Sequence, residues 1–261
     1  MPVSSPREVG TMKTWTDYKN HVKSINTENR QRIEIIEEIA AMPQTVILAC
    51  LTLAQELKRA LECNASKASV CFLPRHLHND PKELHRYLQD KIDHLSHVHH
   101  IVLCVSRCGG GTAGLESKTA EIILPRTRDC LDILLSGKEL NTLKRNIRGI
   151  YFTASWMNFS KESDIDLEKL TANMGKEAAK TYLRQLYKGF NEFYIIDTGC
   201  YNVQEVKNYI NPLVKILDGI ITVIRGEFQI LHKIATATFD DDFIIIPKGC
   251  SVPAEAFLPN R

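Results

Sequence analysis

The sequence lacks any segment long enough to cross a bilayer. Its apolar runs, such as Ile220–Ile224 and Phe243–Pro247, are strand-sized, whereas a spanning helix needs ~20 apolar residues. No membrane partner is expected. Charge of one sign is also missing: 33 Lys plus Arg face 31 Asp plus Glu, a formal net charge of +2. Neither a basic nucleic-acid surface nor an acidic tail follows from that balance, so no nucleic acid is expected as a partner. Met1–Thr16 has no apolar core of the kind that marks a signal peptide, which makes the expected location cytoplasmic. Internal repeats and low-complexity tracts are absent, and so is any Cys-x-x-Cys pair. The eight cysteines therefore match no zinc-ribbon or ferredoxin motif. In a reducing compartment they call for an explanation other than disulfides.

What is present is an ordinary globular composition, 44% apolar and 25% charged over 261 residues. That excludes disorder as the whole answer and suffices for one large or two modest domains. Residues 1–43 are polar, with helical spacing of apolar positions in Arg30-Gln-Arg-Ile-Glu-Ile-Ile-Glu-Glu-Ile-Ala, and read as a helical N-terminal extension. Strands are expected at Thr45–Cys50, Ser69–Leu73, His100–Val105, Glu121–Leu124, Gly149–Ala154, Glu192–Asp197, Gly219–Ile224 and Asp242–Pro247. Helices are expected through Cys63, over Asp80–Leu95 behind an Asn79-Asp80-Pro81 start, and over Asp129–Leu135, Ser163–Lys188, Val203–Leu217 and Phe228–Ala235. Alternation of apolar strands with helices argues an α/β fold with mainly parallel sheet flanked by helices, in two Rossmann-like lobes. The expected boundaries are 44–148 and 149–250, with a tail at 251–261.

Ligands of open α/β sheets bind beyond the carboxyl ends of the strands. Four consecutive strand ends carry Cys50, Pro74-Arg-His-Leu-His-Asn79, Ser106-Arg-Cys-Gly-Gly-Gly-Thr112 and Pro125-Arg-Thr-Arg-Asp-Cys130. A soft metal needs thiolates or imidazoles converging from separate segments, and the ends of one sheet can supply that. Cys50, Cys108, Cys130 and His78 are the candidate ligands; Cys63, Cys71 and Cys104 lie within helix or strand patterns and read as small buried hydrophobes. Gly109, Gly110 and Gly111 look like a loop that opens a helix, where free N–H groups bind an anion or depress the pKa of Cys108. No Lys-Ser/Thr completes a Walker motif, so a phosphate-binding ATPase is disfavoured. Arg126 is expected in the same cleft as Cys108, poised for a small anionic substrate, and Asp129 is expected to cap the next helix. Asp197 and Thr198 form a candidate substrate-binding turn, with helix entry as the alternative. His97, His99 and His100 precede a strand's amino end and belong to the surface.

Cys50 with Glu56-Leu57, Leu77-His78-Asn79-x-Pro81 with Leu88-Gln89, Cys108-Gly-Gly-Gly-Thr with Gly114-Leu115, Pro125-Arg126-x-x-Asp129-Cys130, and Asp197-Thr198-Gly199 together resemble the uncharacterised domain family numbered 1638, over about Val46 to Gly249. Members often carry Gly-Tyr-Gly-x-Cys-Gly-x-Gly where this chain has Cys104-Val-Ser-Arg-Cys108-Gly-Gly-Gly. The family's cysteines correspond to Cys50, Cys108 and Cys130 and its histidine to His78. It has no established activity; its members occur in anaerobic archaea and bacteria, frequently beside corrinoid-dependent methyltransferase systems. The resemblance thus implies one-carbon methyl transfer as a candidate context and corrinoid methyltransferase proteins as candidate partners.

Three readings follow. One is a metal-dependent enzyme whose Cys50, Cys108 and Cys130, with His78, hold zinc or an iron–sulfur cluster. The second is a metal-free enzyme with Cys108 as nucleophile and His78 as base. The third is a carrier of a metal or corrinoid that catalyses nothing.

Overall fold

The computed structural model describes residues 45–137, 140, 143–146 and 148–257; the expected N-terminal helix lies outside them. Thr45–Cys50 (β1) is almost wholly buried, as a strand in a parallel sheet covered on both faces must be. Ser69–Leu73 (β2), His100–Cys104 (β3) and Glu121–Pro125 (β4) have the same apolar character. With Phe243–Ile246 (β8) they form a five-stranded sheet in the order β2-β1-β3-β4-β8, parallel except for β8, which runs antiparallel to β4. Gly149–Phe152 (β5), Glu192–Asp197 (β6) and Ile220–Arg225 (β7) make a second, fully parallel sheet in that order. Both sheets belong to one compact unit, Ile36–Arg261, so the expected α/β architecture with mainly parallel sheets is what the chain adopts.

Register places the site. Cys50 pairs with Leu73 and Ala49 with Cys104, so β1, β2 and β3 end at one level. The strand order reverses between β1 and β3, and a crevice opens at such a switch point. Cys50 and the Cys104–Cys108 loop are its two walls.

The helices follow local capping rules. Ala54–Cys63 (α1) follows β1 through a single 3-10 turn, Leu51–Leu53. Pro81–Asp93 (α2) starts as expected, with the Asp80 carboxylate accepting from the N–H groups of Lys82 and Glu83. Asp129 does the same for Leu131 and Asp132 at the head of Cys130–Leu135 (α3).

Three features of the second half differ from the sequence reading. The strand expected to reach Ala154 stops at Phe152, because the Thr153 hydroxyl accepts from the Trp156 N–H and starts a helix, Ala154–Glu162 (α4). The single helix expected over Ser163–Lys188 is two, Leu167–Met174 (α5) and Lys176–Leu186 (α6), broken at Gly175, whose φ of +82° is outside the helical range. Val203–Ile216 (α7) covers the second sheet through Phe193, Ile195, Val206 and Ile210.

The third difference concerns the end of the chain. Gln229–Ala235 (α8) packs on α1 and α3, and β8 joins the first sheet. The apolar Phe243, Ile244 and Ile246 bury there against the edge that β4 would otherwise expose. The expected division at 149–250 is corrected accordingly: the last two elements return to the first sheet. The described start of the expected tail is held at Val252, since Gly114 N–H donates to Val252 O and Val252 N–H to Leu115 O.

Candidate functional site

Cys50 is the hub of a group of thiols at the switch point. Its Sγ is 3.0 Å from the Thr52 hydroxyl, across the turn that leads into α1. Burial pushes its pKa up, and Thr52 and the nearby Arg75 guanidinium work against that rise. Cys104, Cys108 and Cys130 each sense the charge of Cys50, and Cys130 also senses Cys108. Burial raises all three, Cys108 to about 12, and mutual repulsion adds to it. Cys104, read from sequence as a simple core residue, thus stands within electrostatic reach of the hub. Only the pairing of Ala49 with Cys104 reveals this.

Backbone hydrogen bonds between two strand-end loops hold Cys108 beside Cys130. Arg107 N–H donates to Thr127 O, Cys108 N–H donates to Arg128 O, and the buried hydroxyls of Ser106 and Thr127 are 2.6 Å apart. Cys108 itself has φ of +44°, a conformation that non-glycine residues rarely adopt. The glycines after it are not an anion cradle. Gly110 and Gly111 donate their N–H groups to Arg107 O and Cys108 O, and the segment is one 3-10 turn, Cys108–Gly110, rather than the start of an α-helix. A Cβ on Gly109 would stand 2.9 Å from Pro81 Cγ, and one on Gly111 2.9 Å from Pro81 O. These two positions lack a side chain because α2 starts against them. That corrects their expected cofactor-binding role.

Charged residues lock the Cys130 loop. Arg128 grips Asp132 through two side-chain contacts at 2.7 and 2.8 Å and one backbone N–H at 2.9 Å. Arg145, from the connection between the sheets, grips Asp129 at 2.6 and 2.7 Å and reaches Asp132 at 3.3 Å. Asp129 therefore caps α3, as expected, and also carries an ion pair that sequence spacing did not disclose. Arg126, expected beside Cys108, instead donates from Nε to Asp241 O at 3.0 Å, an exposed contact. Its own N–H bonds Asp242 O, which follows from the antiparallel return of β8. The expectation that Arg126 faces the thiols is corrected on that ground, and Arg75, which senses Cys50 and pairs with Glu162 at 2.9 Å, is the cation nearer the hub.

His78 lies on the exposed rim, edge-on to Trp156 with ring centroids 4.6 Å apart and to Phe159 at 5.8 Å. Desolvation by its surroundings lowers its pKa, and the Asp129 charge opposes that. Its imidazole is thus favoured in the neutral form, the form that binds metals or takes a proton. Trp156 and Phe159 belong to α4, the helix that sequence periodicity missed.

Asp197 and Thr198 already have partners within the protein. The Asp197 carboxylate accepts from Gly199 N–H, closing the turn, and the Thr198 hydroxyl donates to Glu56 Oε1 at 2.9 Å. The helix-entry alternative describes this segment better than a substrate turn. Glu56 is fully buried on α1, its pKa raised by burial, and its Oε2 has no hydrogen-bond partner. A carboxyl group in that state is costly. The sequence marks Glu56 only as part of the family resemblance; its burial against Thr198 depends on a contact between distant segments.

In kind, the donor set suits a soft metal: several thiols and an imidazole held neutral. As the side chains stand, no three His, Cys, Asp or Glu among the described residues form a metal-holding group. No described helix is long and apolar enough to cross a membrane.

A family model described as "Protein of unknown function (DUF1638)" matches residues 72–235. The chain belongs to that family. No curated protein and no solved structure matches it.

Proposed function

We propose that this member of the family is a metal-dependent α/β enzyme in which Cys50, Cys108 and Cys130 hold zinc or an iron–sulfur cluster at the switch-point crevice. The observation that carries the reading is that thiols from three strand ends lie within electrostatic reach of one another: Cys50 raises the pKa of Cys108 and Cys130, and Cys108 that of Cys130. Thiols so placed stay protonated unless a cation neutralises them, and metal binding would release those protons. The metal-free alternative is weaker for the same reason. With its pKa raised by burial and by the Cys50 charge, Cys108 would stand as the neutral thiol at pH 7, and the thiolate is the nucleophile.

A bound metal would supply Lewis acidity and a site at which a substrate thiol or carbonyl is activated. The chain's own residues then have separable roles. Thr52 donates to or accepts from Cys50 and so orients it. The Arg128–Asp132 and Arg145–Asp129 pairs hold the loop that presents Cys130. Neutral His78 would serve as a fourth ligand or a base, with Trp156 and Phe159 packed edge-on against one side of it. Arg75 favours a small anionic substrate near Cys50. One-carbon methyl transfer, with a corrinoid protein as partner, is the candidate reaction, and it rests on the family resemblance alone. A cytoplasmic location accords with reduced thiols.

The test is anaerobic purification with metal analysis and a visible spectrum. The reading expects zinc or iron in stoichiometric amount, lost in Cys50→Ser, Cys108→Ser and Cys130→Ser and kept in Cys63→Ser. Protein that takes up neither metal, in which Cys108→Ser alone abolishes a measured activity, would establish the metal-free reading instead.

A further inference from the structure

Among the described residues β7 is paired on one side only, with β6. Its residues Ile220-Ile-Thr-Val-Ile-Arg225 include Ile220 at 68% and Val223 at 47% exposure. Native sheets blunt a free edge with lysine, proline or a bulge, and none of these interrupts Ile220–Ile224. We infer that this edge pairs with the β7 edge of a second copy of the chain, joining two three-stranded sheets into one of six strands about a twofold axis.

The sequence of the strand selects the register. Ile220 N–H donates to Asn191 O and Gly226 N–H to Asp197 O, both toward β6. Alternation along the strand then turns the N–H and C=O groups of Ile221, Val223 and Arg225 to the free edge. In an antiparallel pair about a twofold axis normal to the sheet, opposed residues share a face, so one residue must oppose its own copy. Centring on Thr222 opposes Ile220 to the second copy's Ile224, Ile221 to its Val223, and Thr222 to its Thr222. Every opposed pair is then β-branched, the combination that stabilises cross-strand contacts. Centring on Ile221 would oppose Ile224 to Asp218, and centring on Val223 would oppose Ile221 to Arg225.

The favoured register also brings the exposed Arg225 of each copy to the end where the other carries its exposed Asp218, so opposite charges meet at both ends. Beside the edge a hollow of about 470 Å³ is lined by Val214, Lys215, Ile220 and Ile221 among others. The second copy's Val223, opposed to Ile221 on the α7 face, would cover it.

Sedimentation velocity on the full chain tests the pairing. The expected mass is twice the 29.6 kDa of one chain. Thr222 is exposed, so Thr222→Lys should fold yet sediment as a monomer, because it opposes two cations at the axis. An equimolar mixture with Thr222→Glu should recover the dimer. In a background lacking the exposed Cys63 and Cys250, Thr222→Cys should form an intermolecular disulfide on oxidation. Residues opposed without hydrogen bonds lie about 4.5 Å apart at Cα, within disulfide reach. A wild-type monomer at all concentrations, or a dimer that Thr222→Lys leaves intact, overturns the inference.

Discussion

Replacing Asp132 by alanine should be among the most damaging single changes in the first sheet's surroundings. Its side chain is 0% exposed, between Arg128 at 10% and Arg145 at 13%. Removal leaves the Arg128 guanidinium desolvated without its carboxylate, while Arg145 keeps Asp129. Breaking one partner of a buried pair costs about 3–5 kcal/mol, and the retained Arg145 contact argues for the lower end. With a urea dependence of about 2–3 kcal/mol per molar for a chain of this size, the midpoint should fall by about 1–2 M. The companion Arg128→Met, Asp132→Leu double variant should recover more than half of the loss, since apolar replacement of both partners removes the uncompensated charge. Arg126→Ala, which gives up an exposed contact to a carbonyl, should move the midpoint far less. Because Asp132 braces the loop that presents Cys130, the alanine variant should also expose that thiol to modification. An Asp132→Ala protein within about 1 kcal/mol of wild type, or a double variant no better than the single one, would refute this account.

The raised pKa of Glu56 comes first from burial, so the folded protein holds its proton more tightly than the unfolded chain does. Its contribution is fully present below the unfolded value and is lost as pH rises through the folded value. Glu56→Gln should therefore match wild type in acid and melt at a higher temperature at neutral and alkaline pH, as thermal scans across pH would show. Thiol titration should find Cys63 and Cys250 reacting fast, Cys71, Cys104 and Cys130 reacting only on unfolding, and all eight in denaturant; rapid reaction of Cys130 in the native protein would contradict its burial. Gly111→Ala should cost about 1–3 kcal/mol of stability by forcing a methyl against Pro81 O, measured by denaturant unfolding. Inorganic phosphate should not stabilise the wild type through this turn, since the N–H groups of Gly110 and Gly111 are already donated.

Much of the architecture was written locally. Runs such as Thr45–Cys50 and Glu192–Asp197 are strands because they are rich in β-branched, aliphatic or aromatic residues and bounded by turn residues, and their limits match the observed strands. Asp80-Pro81 and Asp129 declare helix starts because a carboxylate satisfies N–H groups two and three residues ahead. The position of Cys50, Cys108 and Cys130 after strands was legible for the same reason: strand ends follow from local pattern, and a parallel sheet aligns them. Gly175 could have marked the break between α5 and α6, and Thr153 the start of α4. Both signals are single residues and were outweighed by the apolar periodicity around them.

Other features depend on which segments meet, and no local pattern encodes that. Phe243–Ile246 carries apolar residues suited to either sheet; only the path of α8 over α1 and α3 delivers it to β4. The role of Arg126 changed with it, because a neighbouring antiparallel strand supplies carbonyls that a parallel edge would not have placed there. The glycines after Cys108 look the same in sequence whether they bind an anion or admit Pro81, and the approach of α2 decides it. The pairing of Glu56 with Thr198 joins residues 142 positions apart, and the mutual influence of Cys50, Cys104, Cys108 and Cys130 arises from strand order. Local composition determined which residue types stand at the strand ends. Long-range packing determined which of them face one another, because burial and electrostatic coupling depend on distances in space that sequence separation does not set.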